Sequence, residues 1–149
     1  MKRFSILLLL FFSFCSSGCG QKALKPEGLP DLFPCNITVT QDGSPKMGIA
    51  VMLYPENASI TWPITGGTDA GGVAVMVTYG QFKGVPLGKY KVVLSKFAPG
   101  PTDDHPGFED VEEKFRSEKT TPLELEITSG KVDYSIDAGK SVKDELPRI

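Results

Sequence analysis

The fold is decided by the stretch GVPLGKYKVVLSK, residues 84–96. Its first part has the glycine and proline content of a turn. Its second part places Tyr90, Val92 and Leu94 at every second position, with lysine and serine among the residues between them. A period of two is the pattern of a β-strand that buries one face. The stretch therefore predicts a turn that leads into a half-buried strand.

The same period recurs along most of the chain. Residues 49–54 form a continuous apolar run, predicted to be a strand buried on both faces or at the centre of a sandwich. Residues 60–64 alternate but contain Pro63, which predicts a short edge strand. Turn sequences separate these runs, and about seven strands predict an all-β fold, a single immunoglobulin-like β-sandwich. The alternating segments are Cys35–Thr40, Val73–Tyr79, Leu123–Thr128 and Val132–Asp137, and the turns are Asp42-Gly43, Thr65–Gly72, Val85–Gly88 and Ser129-Gly130.

Composition limits the classes of function. The chain has 149 residues, a formal net charge of −2, 40% hydrophobic residues and one histidine. This length predicts one domain, and the hydrophobic content is too high for a disordered chain. The absence of a basic excess predicts no nucleic-acid partner. One histidine excludes any site that needs two from the same chain.

The N-terminus has the form of an export signal. Lys2 and Arg3 precede the apolar run 6–14, which is shorter than the roughly 20 residues that span a bilayer. The ending Ser16-Ser17-Gly18-Cys19 resembles the lipobox of bacterial lipoproteins, although Ser16 stands where an aliphatic residue is usual. The resemblance implies cleavage before Cys19 and a diacylglycerol on its thiol. A short membrane anchor or an ordinary cleaved signal is the alternative.

These features predict four segments. Residues 1–18 are a lipoprotein signal peptide, and residues 19–34 are the lipidated cysteine and a flexible tether. Residues 35–138 form the sandwich, and residues 139–149 are a C-terminal tail. Cys35 alternates with Ile37 and Val39, which predicts a small buried apolar residue. Were Cys19 not lipidated, a Cys19–Cys35 disulfide would be possible.

Three segments together resemble the carboxypeptidase regulatory-like domain of small lipoproteins from planctomycete-type bacteria. They are TVTQDGSPKMGIAVMLYP (38–55), TGGTDAGGVAVMV (65–77) and GVPLGKYKVVLSK (84–96). Lys46-Met47-Gly48 departs from the usual Val-x-Gly-Ala. The resemblance implies a transthyretin-like (prealbumin-like) sandwich that serves as a non-catalytic accessory module, so we predict that the protein is not an enzyme.

Two groups of residues are candidates for a site. Asp103, Asp104, Glu109 and Asp110 could hold a hard cation, but their spacing matches no calcium loop, so no metal or other cofactor is predicted. His105, in the same loop, is predicted to be an exposed residue without a catalytic role.

The second group is aromatic. Tyr54 and Trp62 could form a platform for a sugar or a peptide, or could simply pack at a strand end. We expect partner contact near residues 60–64 and in the loop 97–119.

The function predicted from these observations is that of a cell-envelope lipoprotein. It would be held at the membrane by its lipidated N-terminus, in the inner or the outer membrane, and would present a binding or structural module to an unknown envelope protein or glycan. Two alternatives stay open: an enzyme or enzyme accessory subunit acting on envelope material, and a calcium-dependent adhesion module.

Overall fold

The computed structural model describes residues 24–96 and 111–142. In these ranges the chain is almost entirely β, which confirms the predicted class, and its helical content is the single 3₁₀ turn Glu113–Phe115. The strands are β1 (Asn36–Gln41), β2 (Ser44–Pro45), β3 (Ile49–Pro55), β4 (Ile64–Gly67), β5 (Val73–Val75), β6 (Val77–Thr78), β7 (Phe82–Lys83), β8 (Gly88–Lys96), β9 (Glu124–Ile127) and β10 (Asp133–Asp137).

The strands form two sheets. In sheet I, β1 lies between β10 on one side and both β2 and β5 on the other, and its pairing with β10 is parallel. Sheet II has the order β7-β6-β4-β3-β8-β9 and is antiparallel throughout. Its longest ladder joins β3 and β8 over seven residue pairs, from Ile49↔Lys96 to Pro55↔Tyr90.

The core lies between the apolar faces of the two sheets. Ile37 and Val39 from sheet I and Val51 and Val92 from sheet II are all fully buried in one apolar cluster. Cys35 belongs to this cluster, as its alternation predicts. Of the two alternatives predicted for residues 49–54, burial on both faces is wrong, since Tyr54 on the outer face of β3 is exposed. The other alternative fits, because β3 lies inside sheet II between β4 and β8.

Tyr90 fixes the entry to β8. Its ring is fully buried in the core, and its hydroxyl donates a hydrogen bond of 2.8 Å to the carbonyl oxygen of Pro86, four residues earlier. A buried tyrosine that bonds back to the backbone upstream of its strand holds the turn against the strand in many β-sandwiches. The Pro-x-Gly-x-Tyr sequence of residues 86–90 thereby closes one end of the fold.

The segment 73–79 is not the single strand that its valines predict. It divides into β5 of sheet I and β6 of sheet II. The buried set is Ala74, Met76 and Thr78, whereas Val75 is 52% exposed. Both alternating sets are largely apolar, so the sequence pattern does not distinguish one register from the register one residue away.

The predicted edge strand at residues 60–64 is also wrong. Strand β4 begins only at Ile64, because Pro63 has no N–H for a ladder, and it lies inside sheet II between β3 and β6. It includes Gly66, which was predicted to be part of a turn. A Cβ atom on Gly66 would lie 2.8 Å from the Met76 sulfur, so the glycine makes room for Met76.

The segment that precedes Cys35 packs against the rest of the domain. Leu29 is buried, and Phe33 exchanges two backbone hydrogen bonds of 2.9 Å with Val85. Residues 29–34 are therefore docked, and only the chain before them could serve as the predicted tether. The first residues of the predicted tail are docked as well, since the Ser141 N–H donates to the Asp42 carboxylate. No helix in residues 24–96 and 111–142 could cross a membrane.

We predict that Tyr90→Phe lowers the free energy of unfolding by about 1 kcal/mol, because the buried Pro86 carbonyl loses its partner. Urea denaturation followed by circular dichroism measures this loss. Tyr134→Phe is the matched control, since the Tyr134 hydroxyl makes only partly buried bonds of 3.2 Å. Equal losses in the two variants would contradict a special role for the Tyr90 bond.

Gly72 and Gly43 have nearly the same positive φ, +74° and +76°, but different surroundings. A Cβ atom at Gly72 would lie 2.8 Å from the Pro45 side chain and 3.0 Å from the Val39 carbonyl oxygen, whereas Gly43 faces open space. Gly43→Ala should therefore cost only the backbone strain, about 1 kcal/mol. We expect Gly72→Ala to cost at least about 1 kcal/mol more in the same denaturation experiment. A Gly72→Ala variant as stable as Gly43→Ala would show that the β1–β2 turn adjusts freely.

Candidate functional site

A groove of about 330 Å³ lies at the end of the β3–β4 pair. Tyr54 lines it from β3, and Trp62 lines it from the segment that leads into β4, so the groove joins the two aromatic residues that the sequence singled out. Tyr54 is 38% exposed and Trp62 is half-buried. Such a volume lies at the small end of the range for ligand pockets.

The shape of the groove follows from the connection between β3 and β4. Asn57 starts a tight turn: its side chain accepts a hydrogen bond from the Ser59 N–H, and its carbonyl accepts one from the Ile60 N–H. Ile60 then packs against the core cluster, which returns the chain to the sheet. Pro63 has no N–H to donate to a ladder, so β4 begins only after it. Trp62 therefore lies outside the ladder, where it lines the groove.

A third aromatic residue contacts Trp62 from the β6–β7 turn. The rings of Tyr79 and Trp62 meet edge to face, with centroids 5.2 Å apart and planes at 81°. The Tyr79 N–H also donates a hydrogen bond of 2.8 Å to the Pro63 carbonyl. Its φ of +55° is a conformation that costs a residue with a side chain about 1–2 kcal/mol. The contact of Tyr79 with Trp62 is not predicted by the sequence, because Tyr79 continues the alternation of the valines in residues 73–77 and is therefore expected at the end of that strand. Gly80, the next residue, is the feature of the sequence that could have indicated a turn there.

The lining carries no formally charged side chain. The polar side-chain groups are the hydroxyls of Tyr54, Thr61 and Thr65 and the indole N–H of Trp62, and the remaining lining residues are aliphatic, methionine or proline. Such a surface can stack against a flat apolar ligand face and exchange a few hydrogen bonds. It offers no carboxylate, imidazole, amine or thiol for acid–base or nucleophilic chemistry.

Another depression lies on the outer face of sheet II and is charged. It occupies about 250 Å³ and is lined by Glu56 and by facing residues of β8 and β9. Lys89 stands opposite Glu126 in the ladder, and Lys91 forms an ion pair of 3.1 Å with Glu124. Exposed pairs of this kind contribute little to stability, and the two lysines offset only part of the charge of the three carboxylates on this face.

Cys35 has a structural role in the core. Its thiol is 2% exposed, and burial, with a smaller contribution from Asp133, raises its pKa to about 11. Burial likewise raises the pKa of the Tyr90 hydroxyl to about 12. A thiol that stays protonated and buried is a poor nucleophile. The prediction of a buried apolar role for Cys35 is confirmed.

The other predicted site residues fall outside the described ranges. These are Cys19, His105 and the four carboxylates of the acidic loop, namely Asp103, Asp104, Glu109 and Asp110. Lipidation and cation binding at these positions therefore stay predictions. Among residues 24–96 and 111–142, no three His, Cys, Asp or Glu side chains come together as a metal site would require.

No family model, curated protein or solved structure matches the chain. The likeness to carboxypeptidase regulatory-like domains therefore rests on the residues that carry it and stays a prediction.

The raised pKa of Cys35 predicts an alkaline loss of stability. The unfolded thiol ionises near its ordinary pKa of 9.0 and the folded thiol only near 11, so this stabilisation is present below pH 9 and is lost as the pH rises to 11. The loss is on the order of 2 kcal/mol. Urea denaturation from pH 8 to 11 should show a smaller decline for Cys35→Ala than for the wild type. Parallel declines would mean that the thiol ionises freely in the folded protein.

Proposed function

We propose that the protein is a lipid-anchored lipoprotein of the bacterial cell envelope whose β-sandwich is a non-catalytic binding module. In this proposal Cys19 carries the lipid, and the Tyr54–Trp62 groove is the binding surface. The module is of the carboxypeptidase regulatory-like, transthyretin-like kind. The module would contact envelope components while the lipid on Cys19 holds the N-terminus in the inner or the outer membrane.

The composition of the groove is the observation that best supports a binding role. It gathers two partly exposed aromatic rings and three hydroxyls, and its lining holds no carboxylate, imidazole, amine or thiol. Aromatic residues beside a few polar groups are typical of binding surfaces. An enzyme site would instead bring titratable groups with perturbed pKa values together in a cleft. The groove therefore favours binding over catalysis.

Two further features support the kind of module. Tyr90 bonds back to Pro86 within residues 84–96, one of the three segments that carry the resemblance. Asp69 lies in the turn 68–72 of another of these segments, and its side chain accepts hydrogen bonds from the N–H groups of Gly71 and Val73, at 2.9 and 3.0 Å. Each of these hydrogen bonds stabilises a turn that leads into a strand of the sandwich.

The anchoring is supported by the N-terminal sequence alone. Two or more acyl chains on one cysteine hold a protein stably at a membrane, whereas one chain gives marginal binding at about 0.8 kcal/mol per buried CH₂. A lipid on Cys19 would leave the docked segment at Leu29 only ten residues further along the chain.

We predict that Cys19→Ser abolishes incorporation of labelled palmitate and moves the protein out of the membrane fraction. Cys35→Ser is the matched control, since that thiol is buried in the core, and it should keep both label and membrane association as long as it folds. Metabolic labelling and fractionation of cells that express each variant give the measurement. A Cys19→Ser protein that stays labelled and membrane-bound would contradict the proposed anchor.

A further inference from the structure

We propose that the Tyr54–Trp62 groove binds an uncharged saccharide, such as a short segment or chain end of a neutral glycan. This rests on the proposed binding role and names the class of ligand that the groove fits. The proposal rests on the juxtaposition of two partly exposed aromatic rings, hydroxyls and a lining without charge.

The first step is charge. No lysine, arginine, histidine, aspartate or glutamate lines the groove, although charged residues make up 23% of the chain. A ligand recognised through a phosphate, carboxylate or ammonium group would need an opposite charge or an array of N–H donors beside it. A separate depression between β8 and β9 does carry charge, since Lys89 and Glu126 face each other there. The groove therefore matches a neutral ligand.

The second step is the pairing of aromatic and hydroxyl groups. A pyranose ring has apolar C–H faces and a rim of hydroxyl groups. Tyr54 and Trp62 supply ring surface for the faces, and the Thr61 and Thr65 hydroxyls can donate or accept hydrogen bonds at the rim. The volume of about 330 Å³ and the open shape suit a short, partly exposed saccharide.

The third step is preorganisation. Tyr79 holds Trp62 by ring contact, and its N–H holds the neighbouring Pro63 carbonyl. Glycine would adopt the left-handed backbone conformation of residue 79 with less strain, so a tyrosine at this position has a conformational cost. The contact fixes the Trp62 ring before a ligand arrives. We assign Tyr79 as a positioning residue.

The backbone argues against a peptide added as a strand. Peptides often bind by pairing with a free sheet edge. The groove is lined by β3, by β4 and by residues 60–63 of the connection between them, and the two strands pair with each other. Both strands also have a partner on their other side, β8 and β6 respectively. The main-chain groups of β3 and β4 are therefore used in the sheet, so a peptide has no free edge to pair with at either strand.

Trp62 is the only tryptophan of the chain, so its fluorescence reports on the groove directly. The test uses the purified full-length lipoprotein in detergent. The probes are hexamers of β-1,4-linked glucose and N-acetylglucosamine, a neutral mannan, an anionic polyuronate and a proline-rich decapeptide, and a glycan array extends the neutral set. We expect a neutral saccharide to change the Trp62 emission saturably.

Three variants and one control sharpen the test. Tyr54→Ala and Trp62→Ala should each weaken binding at least about tenfold, with calorimetry replacing fluorescence for Trp62→Ala. Tyr79→Gly relieves the backbone strain yet should also weaken binding, because Trp62 loses its support. Val75→Ala, at a 52% exposed residue of sheet I, should leave affinity unchanged.

Three outcomes would overturn the saccharide assignment: no response to any neutral glycan by a protein with normal thermal stability, tighter binding of the polyuronate, or a response to the decapeptide alone. Tyr79→Gly with full affinity would overturn the positioning role. Because the binding test uses purified protein, its failure is separate from a failure of anchoring at Cys19.

Discussion

The antiparallel ladder between β3 and β8 is the interaction on which the rest of the structure depends. Its seven residue pairs align Val51 and Leu53 with Leu94 and Val92, so that two strands present one continuous apolar surface to sheet I. Burial of this surface is the main favourable term in forming the sandwich. At one end of the ladder Tyr90 is tied to Pro86, which fixes where β8 starts.

The same ladder determines where the groove lies. Tyr54 and Pro55 are the last residues of β3, opposite Lys91 and Tyr90, and the chain must leave the sheet there. The return to β4 passes through Ile60 and Pro63, which leaves Trp62 beside Tyr54 at the rim of the core. The sheet thus carries the proposed binding surface on a connecting loop, which is a frequent arrangement in β proteins.

The sequence predicts the strands with strict alternation and fails where alternation is ambiguous. β8 and β10 appear where Tyr90 and Tyr134 predict them, because the apolar residues of each strand fall mainly on one face, with Val93 the buried exception on the other face of β8. The segment 73–79 fails because its even- and odd-numbered positions are both largely apolar. The parallel pairing of β1 with β10 joins residues 97 positions apart, such as Asn36 and Asp133. No local pattern encodes such a contact, since long-range pairing is fixed by the packing of the whole chain.

The candidate site was predictable in part. Tyr54 and Trp62 stand out as aromatic residues near strand ends, but their proximity depends on the tight turn at Asn57 and on the break that Pro63 makes before β4. Tyr79 is distant in sequence and reaches Trp62 only because β6 pairs with β4. Its contribution therefore becomes visible only when the sheet is known.

The most direct test of the account is site-specific photo-crosslinking in intact cells. A photoreactive residue would replace Thr61, in the lining of the groove, or Val75, which is exposed on sheet I. If the groove is the binding surface, Thr61 gives a glycan adduct that is removed by glycosidase treatment, and Val75 does not. The same adducts from both positions, or none from Thr61 in a correctly localised protein, would contradict the account.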